Sequence, residues 1–264
     1  FSYLVGGRFK NDSLPPGEWN RSSVVLLEVD ESDGTIDRFS PDYTLALNCE
    51  WDHVDHYADS KAFLKTLGEL FERTKQGLVF PKGSNIEKII GKLKLEFDPI
   101  AFQPHENPAL FDDSNRRAVI AMGKSMGVDL GQVDFSLFPG MERRQSVLFE
   151  SDGRIVVEDY AHHPSELRAF LANRRLDAPN DLLRVVFQPH RFSRTRAHAK
   201  KFAEELSLAD EMYLMQTYGA FEKFDASGTV EALSGHLPPR FREDAKVYEE
   251  FPDLRAALEK KRDK

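Results

Sequence analysis

The sequence has little cysteine, little positive charge and no long apolar run, and each of these absences excludes a class of protein. Cys49 is the single cysteine among 264 residues, so neither an intramolecular disulfide nor a zinc site of several cysteines is possible. This cysteine usage is typical of a reducing compartment and predicts a cytoplasmic protein. No apolar run approaches the ~20 residues of a membrane-spanning helix, and the first residues lack the pattern of a secretory signal.

Positive charge is outweighed by negative charge, since 36 Lys and Arg residues stand against 44 Asp and Glu residues, which gives a net charge of −8. A surface of this sign repels the phosphate backbone, so the composition argues against a nucleic-acid partner. The hydrophobic fraction of 41% is enough for an ordinary buried core. The sequence therefore predicts a globular protein of one or two domains that binds neither nucleic acid nor membrane.

The sequence also lacks a phosphate-binding loop of the form G-x-x-x-x-G-K-[ST]. The nearest approach is "GKS" at residues 123–125, but Ala118 stands where the first Gly is required, and the segment is predicted to be helical. The chain opens on "FSYLVGG", inside a strand-like pattern and without an initiator Met. We expect from this opening that part of the natural protein lies upstream of Phe1.

The apolar patterning predicts an α/β protein. Before residue 138, buried strands are predicted at residues 22–30 and 42–48, a further strand at 91–97, and helices at 58–76 and from Asp113 onward. Beyond it, four strand patterns alternate with four helix patterns from "RIVVED" to the end of the chain, which is typical of a parallel sheet with right-handed crossovers. Pro139 and Gly140 predict a junction between a domain of residues 1–137 and a domain of residues 138–264.

Two polar stretches follow the first two predicted strands, at the edge where parallel sheets bind ligands. The first carries four carboxylates, namely Glu28, Asp30, Glu31 and Asp33, and oxygen ligands of this kind suit Mg2+. The second carries Asp52, His53, Asp55 and His56, where a neutral imidazole can ligate a metal. An acidic turn that caps a helix and a structural histidine remain open as alternatives.

Two more polar stretches follow strands in the second half. "EDYAHHPSEL" contains Asp159, Tyr160, His162 and His163 before Pro164 and Glu166, and a helix start explains only the last two. "FQPHRFSRTR" contains His190, Arg191, Arg194 and Arg196. Arg191 and Arg194 are three apart, a spacing that allows one helical face, and with unpaired N–H groups of the helix start they would bind a phosphate or carboxylate. A solvated basic turn is the alternative.

Five stretches in this order, "EVDESDG", "NCEWDHVDHY", "GMERR", "VEDYAHHPSE" and "FQPHRFSRTR", resemble those of the Mur ligase family. The resemblance is weaker over residues 77–110 and beyond Ala220. It implies the remainder of a central parallel-sheet ATPase domain over residues 1–137, followed by a Rossmann-like C-terminal domain over residues 138–264. The last two stretches look most like the family members that use ATP and Mg2+ to join L-alanine to UDP-N-acetylmuramate through an acyl phosphate in peptidoglycan synthesis.

The resemblance also implies roles for individual residues. Metal ligands would be Glu28 and His53. The nucleotide side would involve Asn115, Arg144, Asp159 and Tyr160. The acyl phosphate and the incoming amino acid would face His163 or His162, together with Arg191 and Arg194. The family's helix opening H-N-x-x-N is here "FDDSN", in which Asn115 is the matching residue.

Other readings of the same stretches have different ligands. A related amide ligase, for muropeptide recycling, cyanophycin or folate polyglutamate, would share the use of ATP and Mg2+ and differ in its amino acid. A non-catalytic relative would bind a nucleotide or another anion without turnover. A histidine and carboxylate metallohydrolase would bind a transition metal without nucleotide.

The resemblance generates one direct expectation. Replacing His163 with Ala in the full-length enzyme should abolish ligation and leave the fold intact. Undiminished product formation by His163→Ala would contradict a catalytic role for this imidazole.

Overall fold

The computed structural model describes residues 1–32, 34–53, 56–242 and 246–260, and the chain divides into two compact units. Unit 1 comprises the described residues of Phe1–Trp51, His56–Glu106 and Phe111–Tyr160. Unit 2 comprises Asp52 and His53, Asn107–Leu110 and the chain from Ala161 onward. No helix of the described residues is long and apolar enough to cross a membrane.

Unit 1 begins with a three-stranded sheet of β1 (Ser2–Leu4), β2 (Gly17–Glu18) and β3 (Val25–Leu27) in the order β2-β1-β3. β1 pairs antiparallel with β2 and parallel with β3. The prediction of a strand around residues 22–30 is confirmed, but the prediction that it is buried is wrong, because all three residues of β3 are exposed. β3 is an edge strand of a small sheet, so its apolar run faces solvent.

The second sheet of unit 1 is parallel, with β4 (Tyr43–Leu45), β5 (Gly77–Pro81) and β6 (Ile100–Phe102) in the order β4-β5-β6. α1 (Ser60–Arg73) connects the first two strands as predicted, and the carboxylate of Asp59 caps it by accepting from the Ala62 N–H. α2 (Asn85–Ile90) and α3 (Phe111–Ser125) follow. All five residues of the central strand β5 are buried.

The strand predicted at residues 91–97 is wrong. No strand lies there in the described chain, and β6 begins at Ile100 instead. The apolar residues that produced the strand-like alternation, Leu93, Leu95 and Phe97, pack against the core of Phe63, Phe71, Leu78 and Ile86 from an irregular segment. Burial of alternate side chains therefore arose here without a hydrogen-bonded strand.

A two-stranded hairpin, β7 (Ser146–Ser151) and β8 (Arg154–Glu158), ends unit 1. The predicted strand "RIVVED" is confirmed as β8, but its place in a parallel sheet is wrong because it pairs antiparallel with β7. Asp152 and Gly153 connect the strands with φ angles of 52° and 70°. Two consecutive positive φ angles at Asp-Gly are typical of the tight turn that closes a hairpin.

Unit 2 contains a parallel sheet of β9 (Arg184–Phe187), β10 (Glu211–Met215) and β11 (Val247–Tyr248) in the order β9-β10-β11. Its helices are α4 (Pro164–Asp177), α5 (Phe192–Leu206), α6 (Val230–Ser234), α7 (Pro239–Arg242) and α8 (Phe251–Lys260). This alternation confirms the predicted α/β class. Its core includes Leu171, Phe202, Leu214 and Leu233, each almost completely buried.

The carboxyl ends of β9 and β10 lie at one edge of the unit 2 sheet, and the connections that leave them are hydrogen-bonded to each other. The N–H of Tyr218 donates to the Pro189 carbonyl at 2.8 Å, and the N–H of Arg191 donates to the Tyr218 carbonyl at 2.7 Å. The turn from β9 into α5 is therefore fixed against the loop that follows β10.

Candidate functional site

His163 forms the N-cap of α4. Its Nδ1 lies 2.8 Å from the Ser165 Oγ and accepts from the Ser165 N–H at 3.4 Å, and the Glu166 carboxylate accepts from the His163 N–H at 3.3 Å. These reciprocal contacts form a capping box, which satisfies N–H groups that the helix start leaves unpaired. His163 is buried. Replacement of an N-cap residue by Ala costs about 0.5–2 kcal/mol, so His163→Ala should lower stability as well as activity, and the expectation that the fold stays intact remains a prediction.

His198, one turn after Arg194 on α5, packs against His163, with ring centroids 4.9 Å apart and planes inclined at 73°. The side chain is buried. Burial, followed by the charge of His163, lowers the pKa of His198 from 6.5 to about 4. The neutral imidazole of His198 therefore supports the ring that caps α4.

Arg194 forms a buried ion pair with Asp52. Its Nε donates to the two carboxylate oxygens at 2.8 and 3.1 Å, and its Nη2 donates to Oδ2 at 2.8 Å. Although burial raises the pKa of Asp52, the hydrogen bonds and the charge of Arg194 outweigh it and hold that pKa well below its usual value. The side chain of Arg194 is 4% exposed, so its guanidinium is engaged by the protein itself.

Two imidazoles border this ion pair. The Nε2 of His162 lies 4.0 Å from the Asp52 carboxylate and its Nδ1 lies 3.5 Å from Glu166. The Nδ1 of His190 lies 3.3 Å from the Arg194 Nη1. Burial and the charge of Arg194 lower the pKa of His190. We call Asp52, His162, His163, His190, Arg191, Arg194 and His198 the polar cluster.

Arg191 is the N-cap residue of α5 and has φ 72° and ψ 134°. A residue other than glycine rarely adopts this backbone conformation. It costs on the order of 1–3 kcal/mol and persists only where contacts with the surrounding structure stabilise it. The prediction that Arg191 and Arg194 share a helical face is wrong, because the helix begins at Phe192. The N–H of Ser193 is also not available to a ligand, since it donates to the Glu222 carboxylate at 3.0 Å.

In unit 1, Glu28 directly follows β3 and is exposed. Its Oε2 accepts from the Gly6 N–H at 2.7 Å, and its own N–H donates to the Leu4 carbonyl at 3.0 Å. This carboxylate is therefore fixed in place with its other oxygen open to a ligand or to water.

The two acidic stretches meet in unit 1, and Tyr57 and Gly34, which were not among the candidate residues, take part in the contacts. The hydroxyl of Tyr57 donates to the Glu31 carbonyl at 2.8 Å, and the backbone of Gly34 lies against the His56 ring. Asp30 accepts from the Ser32 N–H, as in a turn. Two of the candidate carboxylates, Asp33 and Asp55, lie outside the described residues.

His53 belongs to unit 2, and its Nε2 lies 3.9 Å from the Asp52 carboxylate. Among the described residues, no group of three or more His, Cys, Asp or Glu side chains is arranged to hold a metal ion. The assignment of Glu28 and His53 as metal ligands stays a prediction.

Tyr160 closes unit 1 with its ring 43% exposed and with two guanidinium groups beside it. The guanidinium carbons of Arg143 and Arg144 lie 4.9 and 5.5 Å from the ring centroid, within the range of a cation–π contact. Asp159 accepts from the Gln145 N–H at 2.9 Å, which ties it to the same loop. The structure thus brings together Arg144, Asp159 and Tyr160, three of the four predicted nucleotide residues.

The fourth, Asn115, is exposed on the first turns of α3 in unit 1. Its neighbour Ser114 accepts from the His105 N–H at 2.8 Å. Adenine contacts at Asn115 stay a prediction.

Sequence reasoning missed His198 and Glu222. His198 stands four residues after Arg194, so helical spacing alone places it on the same side of α5. Glu222 is 29 residues from Ser193 and comes close through the loop after β10, for which no local pattern gives a signal.

The matching family model agrees with this architecture. Residues 142–263 match the model described as Mur ligase, glutamate ligase domain. The domain boundary at residues 137/138 stays a prediction, since the compact units divide at Tyr160 and the family match begins at residue 142.

Relatives are similar over most of this chain. The UDP-N-acetylmuramate–L-alanine ligase of Cytophaga hutchinsonii is 30% identical over 90% of this chain and 59% of its own length. That of Nostoc punctiforme is 29% identical over 89% of this chain and 55% of its own length. The chain thus spans less than two thirds of the length of the curated relatives that it matches.

Solved structures are similar as well. The UDP-N-acetylmuramate–alanine ligase of Thermotoga maritima superposes with a TM-score of 0.68 at 25% identity, covering 96% of this chain and 61% of the other. Folylpolyglutamate synthase of Mycobacterium tuberculosis, in complex with ADP and AMPPCP, has a TM-score of 0.63 at 15% identity, covering 89% and 60%, and shares the fold.

The parallel sheet of unit 2, with its polar cluster at the carboxyl edge, is that of a glutamate ligase domain. Residues 142–263 match a domain of the Mur ligase family, and most of the chain is similar to members of that family. Its similarity is to the UDP-N-acetylmuramate–L-alanine ligases in particular.

The buried ion pair generates a stability prediction. Asp52→Asn should destabilise the protein by about 3–5 kcal/mol, because it leaves the Arg194 charge buried without a counter-charge. Urea unfolding measures the loss. Asp177→Asn, at the partly exposed ion pair with Arg174 on α4, is the control and should cost about 1 kcal/mol or less. Equal effects of the two variants would contradict the role given to Asp52.

A second prediction concerns pH. Because the pKa of His198 is lower in the folded protein than in the unfolded chain, the unfolded chain binds more protons between pH 6.5 and about 4. His198 therefore lowers the free energy of unfolding as the pH falls through this window. His198→Leu should flatten this pH dependence in urea unfolding, whereas His236→Leu, at an exposed histidine, should retain it. An unchanged slope in His198→Leu would show that His198 is not the titrating group.

Proposed function

We propose that this chain is part of an ATP-dependent ligase of peptidoglycan synthesis that joins L-alanine to UDP-N-acetylmuramate. The observation that carries the proposal is the polar cluster, in which four imidazoles and two guanidinium groups lie at the carboxyl edge of the unit 2 sheet. Similarity to ligases named for this reaction supports the same substrates.

ATP would supply the phosphoryl group that activates the substrate carboxylate as an acyl phosphate, with ADP as the leaving group, and Mg2+ would neutralise the charge of the phosphates. For the nucleotide, Tyr160 offers an exposed aromatic face beside Arg143 and Arg144, and Asp159 is a carboxylate held by the Gln145 N–H. Stacking on the ring and ion pairing with guanidinium groups suit a base and its phosphates. These residues fit an adenine nucleotide.

Glu28 fits Mg2+ because one or two carboxylates completed by waters and substrate phosphates are the usual ligands of this ion. The Gly6 N–H fixes one of its oxygens and the residue is exposed. His53 fits less well, since Mg2+ prefers oxygen to imidazole nitrogen. We therefore assign Glu28 as the stronger candidate of the two.

Within the polar cluster, His162 is better suited than His163 to accept a proton from the amine of L-alanine. His163 is buried and its Nδ1 is used by Ser165 in capping α4. The His162 side chain is 25% exposed and lies between Asp52 and Glu166, whose carboxylates stabilise the protonated ring.

Arg191 is the candidate for holding the anion of the amino acid or of the acyl phosphate. Arg194 is paired with Asp52, so its role is structural. It contacts the ring of His190 and neutralises the negative charge of Asp52 within the polar cluster. In this proposal Arg191 binds the anion and Arg194 stabilises the polar cluster.

We expect residues 1–264 alone to be inactive, so the test is product formation by the full-length enzyme from ATP, Mg2+, UDP-N-acetylmuramate and L-alanine, followed by mass spectrometry. His162→Gln should lower the rate by about 10²–10⁴, as expected for a lost general base. His163→Asn, which keeps a good N-cap residue, should lower it far less.

The outcomes separate the competing functions. Equal losses in His162→Gln and His163→Asn would contradict the assignment of His162. Product with another amino acid but not with L-alanine would indicate a related amide ligase. Nucleotide binding without any product would favour the non-catalytic relative.

A further inference from the structure

The loop of residues 216–229, which we call the β10–α6 loop, packs on the turn that carries Arg191. It is joined to this turn by the two backbone hydrogen bonds between Tyr218 and residues Pro189 and Arg191. His190 and Tyr218 also form a parallel bridge, with their rings 5.5 Å apart. The loop thus extends the sheet edge and covers the start of α5.

Glu222 adds two side-chain contacts to this arrangement. Its Oε2 accepts from the Ser193 N–H at 3.0 Å and its Oε1 accepts from the Ser193 hydroxyl at 2.5 Å. A carboxylate at this position satisfies an N–H of the helix start and complements the helix dipole. Arg191, the N-cap residue, makes no side-chain hydrogen bond to the helix start. The Glu222 carboxylate, from a loop distant in sequence, therefore caps the first turn of α5.

Phe192 is enclosed by the same loop. A Cβ at Gly228 would lie 2.1 Å from the Phe192 carbonyl oxygen, and a Cβ at Gly219 would lie 2.7 Å from its ring. The ring of Phe224 meets that of Phe192 edge-on at 5.5 Å. Residues on both sides of Arg191 are thus fixed by the loop.

We propose that Glu222 is a positioning residue for Arg191. A non-glycine residue at φ 72° persists only when its surroundings hold it there. The Glu222 carboxylate does so by fixing Ser193, and it thereby holds the backbone from which the Arg191 side chain would reach the carboxylate of an amino acid. The identity of that ligand rests on the proposed function, whereas the restraint on the backbone does not.

Amide hydrogen exchange measures the restraint without any ligand. In Glu222→Ala the amides of Arg191 and Ser193 should exchange about tenfold faster or more, because both contacts to Ser193 are lost. Glu222→Gln should be intermediate, since its amide oxygen can still accept one of the two hydrogen bonds.

Asp225→Ala is the matched control. Asp225 is a carboxylate of the same loop, but it accepts from Ser227 and pairs with Arg196, away from the turn. Exchange at Arg191 and Ser193 should stay as in the wild-type protein. Unchanged exchange in Glu222→Ala, or equal acceleration in Asp225→Ala, would overturn the inference.

A titration with L-alanine in the presence of ATP and Mg2+ separates this inference from the proposed function. Affinity about tenfold lower in Glu222→Ala, and restored in part by Glu222→Gln, supports both. Faster exchange together with no L-alanine binding by the wild-type protein would support the restraint and contradict the proposed function. Wild-type binding that Glu222→Ala leaves unchanged would overturn the positioning role and leave the proposed function standing.

Discussion

The arrangement of unit 2 depends on a carboxylate that is 142 residues from its partner in sequence. A buried guanidinium without a counter-charge is strongly destabilising, so Arg194 requires Asp52. Once paired, Arg194 orients His190 on one side, and Asp52 faces His162 on the other. The ion pair therefore sets the distances among groups that come from four parts of the chain, namely the segment before α1, the segment before α4, the turn after β9, and α5.

The contacts around this ion pair give each neighbouring histidine a different local environment. His163 caps α4, and the neutral ring of His198 packs against it edge to face. The ring of His162 remains partly accessible. Two adjacent histidines thus have different surroundings, because the ring of His163 caps α4 and the ring of His162 lies between two carboxylates. The two arginines also differ in their surroundings. Arg194 is buried in an ion pair, whereas Arg191 lies at the N-cap of α5 with a positive φ angle.

The α/β class and the order of elements in unit 2 follow from sequence because each strand and helix there has a local pattern of its own. The apolar pattern of the sequence did not predict burial or strand formation where these depend on neighbouring elements. β3 has an apolar run typical of a central strand but lies at an edge, and residues 91–97 alternate without forming a strand. The antiparallel pairing of β8 had a local signal in Asp152 and Gly153, a dipeptide that favours hairpins. For the site, the strand ends singled out His162, His163 and Arg194, which the structure brings together in the polar cluster. Their different surroundings had no local signal, because Asp52 and His198 reach them through tertiary contacts.

The membership of Asp52 in unit 2 bears on the autonomy of that unit. A polypeptide cut at the boundary after Tyr160 would contain every strand of the β9-β10-β11 sheet, yet it would lack the acid that neutralises Arg194. Closing a contact over so long a stretch of chain is slow in folding, since its entropy is lost before the contact forms. Unit 2 is therefore discontinuous in sequence, and its buried ion pair forms only when a distant segment of the chain has joined it.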